Sequence, residues 1–498
     1  MLPKLATLVL APALANGVAV AAEPLYKKPV NIPGYGYVQG KAAVNSSVSE
    51  YISNWENISF FGGIPFGADT SGVNRWRDPQ PAEPWNGTLN ATEFGAICPI
   101  TLSILADYAQ SEDCLNLNIW TPATSPDEKL PVAIWSYGAG TAPPQTTYNG
   151  AGVADKGIIF VSYNYRNGVF GFMAHPELTE TNGRNASGNW GVLDQYAAVK
   201  WVHENIAAFG GDPDHISVIG QSFGAAATYH IVNSELTADL GIVNAISESG
   251  VHSPNDPNTG VFECAYTTLD DAETMGEEII SSLNVSSIAE ARSIDTTTLL
   301  DSTSTYSLEV KPVLDYYAIP SKYINTLEKG AGNKVPYITG NNANEDGASA
   351  TVSTTAGEQE DQIVRDMFRV SSWQYMNGFS NSADQVDTYT YYWNYGSAAH
   401  ASEIVYVLNN LWAQGEDYSE EDYYVANVMS SYWANFMKTG NPNTGGSYNN
   451  GTLPAKWNAN SPSKNETFLV GAVYETMDTA ATERVQLILD YFAAQTPY

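Results

Sequence analysis

The sequence predicts an α/β fold with one large, mostly parallel central sheet flanked by helices. Three observations carry this reading. Strand-like and helix-like segments alternate through the N-terminal half, as parallel strands joined by crossover helices would. Between 189 and 232 a helix, a short strand, a tight turn and a second helix follow one another. No Pro/Ser-rich linker, charge block or fixed-period repeat interrupts the 498 residues, so the chain reads as one domain with elaborate loops, although a prior of roughly 150 residues per domain would give about three.

The opening "MLPKLATLVLAPALANGVAVAAEP" has one Lys, an apolar run and small residues suited to cleavage near Ala21. Its Pro and Gly would break a helix. Residues 1–21 are therefore expected to be a secretory signal peptide, and 22–498 a single mature domain that is secreted and extracellular. Sequons at Asn45, Asn57, Asn86, Asn90, Asn185, Asn284, Asn450 and Asn465 agree with that route and are expected glycosylation sites. Beyond the signal no stretch of about 18 apolar residues could span a bilayer.

"LPVAIWSYGAG" (130–140) is an apolar run ending in glycines, and "GIIFVSYNYR" (157–166) is β-branched and aromatic, as buried strands are. In "NWGVLDQYAAVKWVHENIAAFGG" (189–211), Val192, Leu193, Tyr196, Val199, Val202 and Ile206 share one helical face, closed by a Gly pair. "DHISVIG" then leads into "VIGQSFGAAATYH" (218–230), which places Ser222 at a strand-to-helix turn. Turn-rich stretches at 253–260 and 353–361 mark the C-terminal half. There "SEEDYYVANVMSSYWANFMKTGNPN" (419–443) carries an apolar stripe of Val425, Val428, Met429, Tyr432, Trp433 and Phe436, read as core.

With 54 acidic and 22 basic residues the net charge is −32, which repels nucleic-acid phosphates and anionic membranes, so neither is an expected partner. No Cys-x-x-Cys, His-Glu-x-x-His or phosphate loop occurs, so no metal and no cofactor is expected. Three cysteines allow one disulfide. Cys98 and Cys114 enclose a short loop whose closure contributes on the order of 3 kcal/mol in the chain-entropy model, and they are the expected pair. Cys264 is left as a buried thiol or a link to another chain.

A serine hydroxyl becomes a useful nucleophile only when exposed beside a histidine base and near N–H donors. A strand-to-helix elbow supplies exposure and donors together, with Gly220 and Gly224 where side chains would crowd the bend, so Ser222 is a candidate nucleophile. Such an elbow demands the chain order serine, acid, histidine. Of six histidines, His175, His203 and His215 precede the serine, and His230 and His252 follow it too closely, which leaves His400. "YITGNNANEDGAS" (337–349) offers Glu345 and Asp346 as the acid, and spacing does not choose between them.

These residues resemble the type-B carboxylesterase/lipase family of the α/β-hydrolase fold, which includes cholinesterases and fungal lipases. The likeness is nearly chain-long. It runs through "FFGGIPFG" (60–67), "WNGTLNATEFGAICP" (85–99), "SEDCLNLNIWTP" (111–122), "NYRNGVFGF" (164–172), the segment 188–225, "GNNANEDG", "GSAAHASEIVYVL" (396–408) and "WANFMKTGNPN". It implies a Ser222–Glu345–His400 triad, preferring Glu345 to Asp346, and supports the Cys98–Cys114 pairing. It further implies a secreted serine carboxylesterase acting on a small-molecule ester through an acyl-enzyme, with the oxyanion held by backbone N–H groups of Ala139, Gly140 and Phe223.

The chain departs from the family in three places. The usual Gly run is "GAG" (138–140) after Tyr137, Gln221 stands where Glu is common, and Phe223 where Ala is common. These departures read first as neutral variants; the alternative is that Phe223 and Tyr137 narrow or redirect the acyl pocket, so that ordinary esters are poor substrates. The loop between the paired cysteines, with Ile100, Leu102, Ile104 and Leu105, is short for a lid, which favours soluble esters over interfacial lipids. Two alternatives stay open: an acyltransferase or dedicated metabolite esterase on the same triad, and a non-catalytic adhesion or binding protein on an esterase fold.

Overall fold

The computed structural model describes residues 23–307, 309–345, 355–448 and 451–498. The signal reading of 1–21, the alternative acid Asp346 and the sequon at Asn450 lie outside the described residues.

Eleven strands form the main sheet: β1 Lys41–Ala42, β2 Ser59–Pro65, β3 Asn116–Thr121, β4 Leu130–Ser136, β5 Ile159–Tyr163, β6 Gly211–Gln221, β7 Ile242–Glu248, β8 Tyr337–Asn342, β9 Thr388–Asn394, β10 Glu466–Gly471 and β11 Glu475–Asp478. Their spatial order is β11-β10-β9-β8-β7-β6-β4-β5-β3-β2-β1. From β10 across to β5 every neighbour pair is parallel, and the two margins are antiparallel. The sheet is thus parallel where helices cover both faces, which is where continuous apolar strands such as β5, buried at every residue, are required.

Register sets the site. Gly220 of β6 lies opposite both Ser136 of β4 and Ser247 of β7, while Glu248 lies opposite Gln221 and Gly340. The carboxyl ends of four adjacent strands are therefore level, and the loops leaving them meet at one edge.

Helix α1, Trp190–Asn205, passes through Ile206–Phe209 to Gly210 at φ 84°, the closure expected at the Gly pair. Its burial is not confined to one face, because Asp194 and Gln195 are also enclosed. Asp194 is held by a two-pronged pairing with Arg166, Nε to Oδ2 at 2.8 Å and a terminal guanidinium nitrogen to Oδ1 at 2.8 Å. Such geometry compensates the desolvation of both charges. Helix α2, Phe223–Asn233, follows β6 directly. Helix α3, Glu420–Thr439, is started by a Ser419–Asp422 capping box and stopped by Gly440 at φ 71°. Its stripe, including fully buried Val425, Tyr432, Trp433 and Phe436, packs into the main core as read from the sequence.

A second apolar cluster, with Phe170, Trp190, Ile279 and Leu299, seats the helices Leu269–Ser282 and Thr296–Ser302 beside the sheet. Among the described residues no helix is long and apolar enough to cross a membrane.

Candidate active site

The glycines around Ser222 are dictated by contact. A Cβ on Gly224 would lie 1.9 Å from the Ser136 carbonyl oxygen, and one on Gly220 would lie 2.1 Å from the Gly224 oxygen. Only hydrogen fits at either position. Between them Ser222 adopts φ 59°, ψ −126°, a region that costs a non-glycine residue about 1–3 kcal/mol. Its N–H donates to the Glu248 carbonyl of β7 at 2.9 Å, which ties the strained residue to the sheet. Although Ser222 stands at the N-cap of α2, its side chain makes no capping bond, so capping does not explain its presence. Its hydroxyl has no protein hydrogen-bond partner among the described residues and borders a cavity of about 560 Å³.

Glu345 and His400 follow β8 and β9. His400 Nδ1 and Glu345 Oε2 are 2.5 Å apart, and the other oxygen, Oε1, accepts from the Asn342 N–H at 2.6 Å. Glu345 is thus fixed at both oxygens. Burial lowers the affinity of the His400 imidazole for a proton. The Glu345 hydrogen bond and the charges of Glu345, Glu403 and Glu263 outweigh this and lift it to about 9.

His400 Nε2 faces Gln221, not the serine hydroxyl: the Gln221 amide nitrogen lies 3.2 Å away. An amide N–H can donate only to an unprotonated Nε2, so this contact fits the tautomer with the proton on Nδ1, toward Glu345. Glu263 Oε1 lies 4.0 Å from the same Nε2. Burial raises the Glu263 carboxyl above its ordinary value, with His252 and His400 opposing.

Behind the pair, Glu403 and Glu248 are enclosed. Glu403 Oε2 accepts from the Asn342 side chain, and Glu248 Oε1 from Trp433 Nε1 at 2.7 Å. Burial raises both carboxyls, each further because of a neighbouring carboxylate. Neither was singled out in the sequence. The signal available was position: Glu403 lies three residues after His400, and Glu248 ends the strand beside the elbow.

Ala139 and Gly140 form the turn after β4 and border the cavity. Ala139 is not among the residues with positive φ, whereas Gly140 takes φ 72°, so the alanine occupies the position of the pair that tolerates a Cβ. The Phe223 N–H, first in α2, has no intrahelical acceptor. The Phe223 ring is 46% exposed and borders the cavity. Tyr137 is different. It is buried off the cavity and stacked on Tyr165 at 4.5 Å, and its carbonyl accepts from the Tyr165 hydroxyl at 2.9 Å, so it props the turn from behind.

Cys98 and Cys114 are joined in a disulfide and Cys264 is a buried free thiol. The loop between the paired cysteines, short as it is, borders the cavity through Ile100 and Leu102. Of the described sequon asparagines, Asn45, Asn86, Asn90, Asn185 and Asn284 are exposed. Asn57 and Asn465 are partly buried, with amide nitrogens donating to Asn54 and to the Ala480 carbonyl.

The chain matches the family model described as the carboxylesterase family over residues 28–392 and 362–488. It is 35% identical over 302 residues to the fumonisin B1 esterase of Sphingopyxis macrogoltabida, an alignment covering 58% of this chain and 53%, about half, of that protein. It is 29% identical over 436 residues to the para-nitrobenzyl esterase of Bacillus subtilis (strain 168), covering 77% of this chain and 86% of that one. The solved carboxylesterase EST55 of Geobacillus stearothermophilus superposes with a TM-score of 0.75 at 25% identity, covering 92% and 99% of the two chains. A solved PNB esterase reaches 0.77 at 24% identity, covering 93% and 99%, a likeness of fold. This chain belongs to the carboxylesterase family, the carboxylic ester hydrolases of α/β-hydrolase fold.

Proposed function

We propose that the chain is a secreted serine carboxylesterase that cleaves small-molecule esters through an acyl-enzyme on Ser222. The observation that carries this reading is the convergence on one cavity of an unpartnered, backbone-strained Ser222 and a His400 oriented by Glu345. In the reaction His400 Nε2 exchanges the Gln221 amide for the Ser222 hydroxyl and takes its proton as Oγ attacks the ester carbonyl. The proton passes to the departing alcohol, and water, activated by the same nitrogen, then releases the acid. Glu345 holds the tautomer and stabilises the imidazolium. Backbone N–H groups of Ala139, Gly140 and Phe223 are the oxyanion donors, each worth roughly 10²–10³ in kcat.

The relatives named for hydrolysis of fumonisin B1 and of para-nitrobenzyl esters support ester cleavage. The N-terminal apolar segment, the sequons and the disulfide support secretion.

Hydrolysis of a chain-length series of p-nitrophenyl esters by wild type and Ser222→Ala tests the reading. Loss of roughly 10⁴-fold or more in kcat in the variant, with the fold intact, is the expected outcome. Equal turnover by both proteins would refute it.

A further inference from the structure

The cavity beside Ser222 continues along one face of α2. Phe223, Ala226, Ala227 and His230 border it at the i, i+3, i+4, i+7 spacing of a single helical stripe. Two small alanines leave room between the phenylalanine and the histidine. His230 lies eight residues beyond Ser222, roughly 12 Å along the helix axis. From α1, Gln195 borders the same space.

These two side chains have hydrogen-bonding capacity that the protein leaves unused. Tyr323 Oη donates to the Cys264 carbonyl at 2.9 Å, so its oxygen is free to accept from His230 Nε2 at 2.8 Å. That fixes the proton on Nε2 and leaves Nδ1 a lone-pair acceptor. Among the described residues Nδ1 has no partner, and protein atoms do not seal it off. Burial pulls the imidazole down to about 4, so it is neutral in ordinary conditions. Gln195 is only 3% exposed, yet its amide makes no side-chain hydrogen bond among the described residues. Its Oε1 is sealed without a partner, whereas its Nε2 is not sealed. A buried amide with no protein partner in a cavity wall is one that a ligand can satisfy.

We infer that His230 and Gln195 form a polar subsite that selects substrates carrying a hydroxyl group on the chain lying along α2. The inference rests on the ester-cleavage reading above and adds a substrate class to it. A hydroxyl carries both a hydrogen that His230 Nδ1 can accept and lone pairs that can accept from Gln195 Nε2. A terminal methyl leaves both unpaired. A carboxylate meets the Nδ1 lone pair. An ammonium is opposed by the Gln195 N–H and by Lys311, which borders the same cavity and attracts a carboxylate, so the ω-carboxy ester is the comparison that separates that charge from the His230–Gln195 pair.

The test compares kcat/KM for p-nitrophenyl esters of a medium-chain acid, its ω-hydroxy counterpart and its ω-carboxy counterpart, and for the acetate monoester of a medium-chain diol. Wild type and Gln195→Leu are both measured. Because Gln195 bonds to no described protein group, the leucine variant should fold with an unchanged or higher Tm. The wild type should prefer the hydroxylated ester roughly tenfold, and Gln195→Leu should erase that preference while sparing the plain ester. A wild-type preference for the plain or ω-carboxy ester, or an unchanged ratio in the variant, would overturn the inference. Calorimetric binding of a medium-chain diol against the mono-alcohol of equal length reads the subsite without catalysis. If no ester is cleaved, tighter binding of the diol that Gln195→Leu abolishes still supports the subsite and places the failure in the catalytic reading. Equal binding of diol and mono-alcohol overturns the subsite.

Discussion

At Ser222 the chain stores strain at the point of its proposed chemistry. The positive φ is imposed by the glycines, the Ser136 carbonyl and the bond to Glu248, and a glycine at 222 would adopt it freely. Ser222→Gly should therefore be more stable than Ser222→Ala by about 1 kcal/mol while both lack activity, read as Tm and turnover. At Gln221 the question is protonation. With the His400 imidazole lifted to about 9, its base form grows only as pH rises above the ordinary histidine range, so the acid limb of kcat/KM should lie well to the alkaline side of 6.5. Gln221→Glu would replace the amide that lies 3.2 Å from Nε2 with a carboxylate that favours the imidazolium. The limb should then move further upward in a pH–rate profile. A limb unmoved, or moved downward, would show that Gln221 does not touch the base in solution.

At the scale of elements, the elbow between β6 and α2 is legible in sequence because its constraints are local. Two glycines flank the serine, a strand pattern precedes it and a helical pattern follows. His400 was reachable by chain order, since only six histidines had to be sorted. The acid was not reachable by spacing, because Glu345 and Asp346 are adjacent and only the resemblance favoured one of them. Gln221's approach to His400 depends on a rotamer across β6 and the loop after β9, which no local pattern encodes. Gln195 was hidden for a different reason: it lies in a helix whose apolar residues announced a core face, and its missing partner is visible only once α2 and the cavity are in place. The elbow's packing gives its own prediction. Gly224→Ala would drive a Cβ to 1.9 Å from the Ser136 oxygen, so it should cost about 3 kcal/mol and abolish turnover by displacing the helix start. An active, equally stable variant would contradict the packing described.

Across the whole molecule, buried charge couples stability to activity in opposite directions. His400 holds its proton more tightly when folded, which contributes stability that is fully present below 6.5 and is lost as pH rises through about 9. Glu248 and Glu403 are also raised by burial and by neighbouring carboxylates. The unfolded chain releases their protons in the ordinary carboxylate range while the folded chain retains them, so stability again falls as pH rises. Tm should therefore decline from mildly acidic pH toward pH 9 while kcat/KM climbs. Glu403→Gln, which removes one of the charges lifting His400, should flatten the first trend and shift the acid limb downward. The parallel core and its flanking helices were legible because continuous apolar strands alternate with amphipathic stretches. The antiparallel margins were not, since strands as short as Lys41–Ala42 carry too few residues to show a period.

The acyl-enzyme on Ser222 is tested most directly by mass. The protein is mixed with a slowly deacylating p-nitrophenyl ester, quenched in acid during turnover, digested, and its peptides weighed. The wild type should gain one acyl group on the peptide bearing Ser222, and Ser222→Ala should gain none and release no nitrophenol above background. An acyl group mapped to another residue, or undiminished turnover in the variant, would contradict the mechanism.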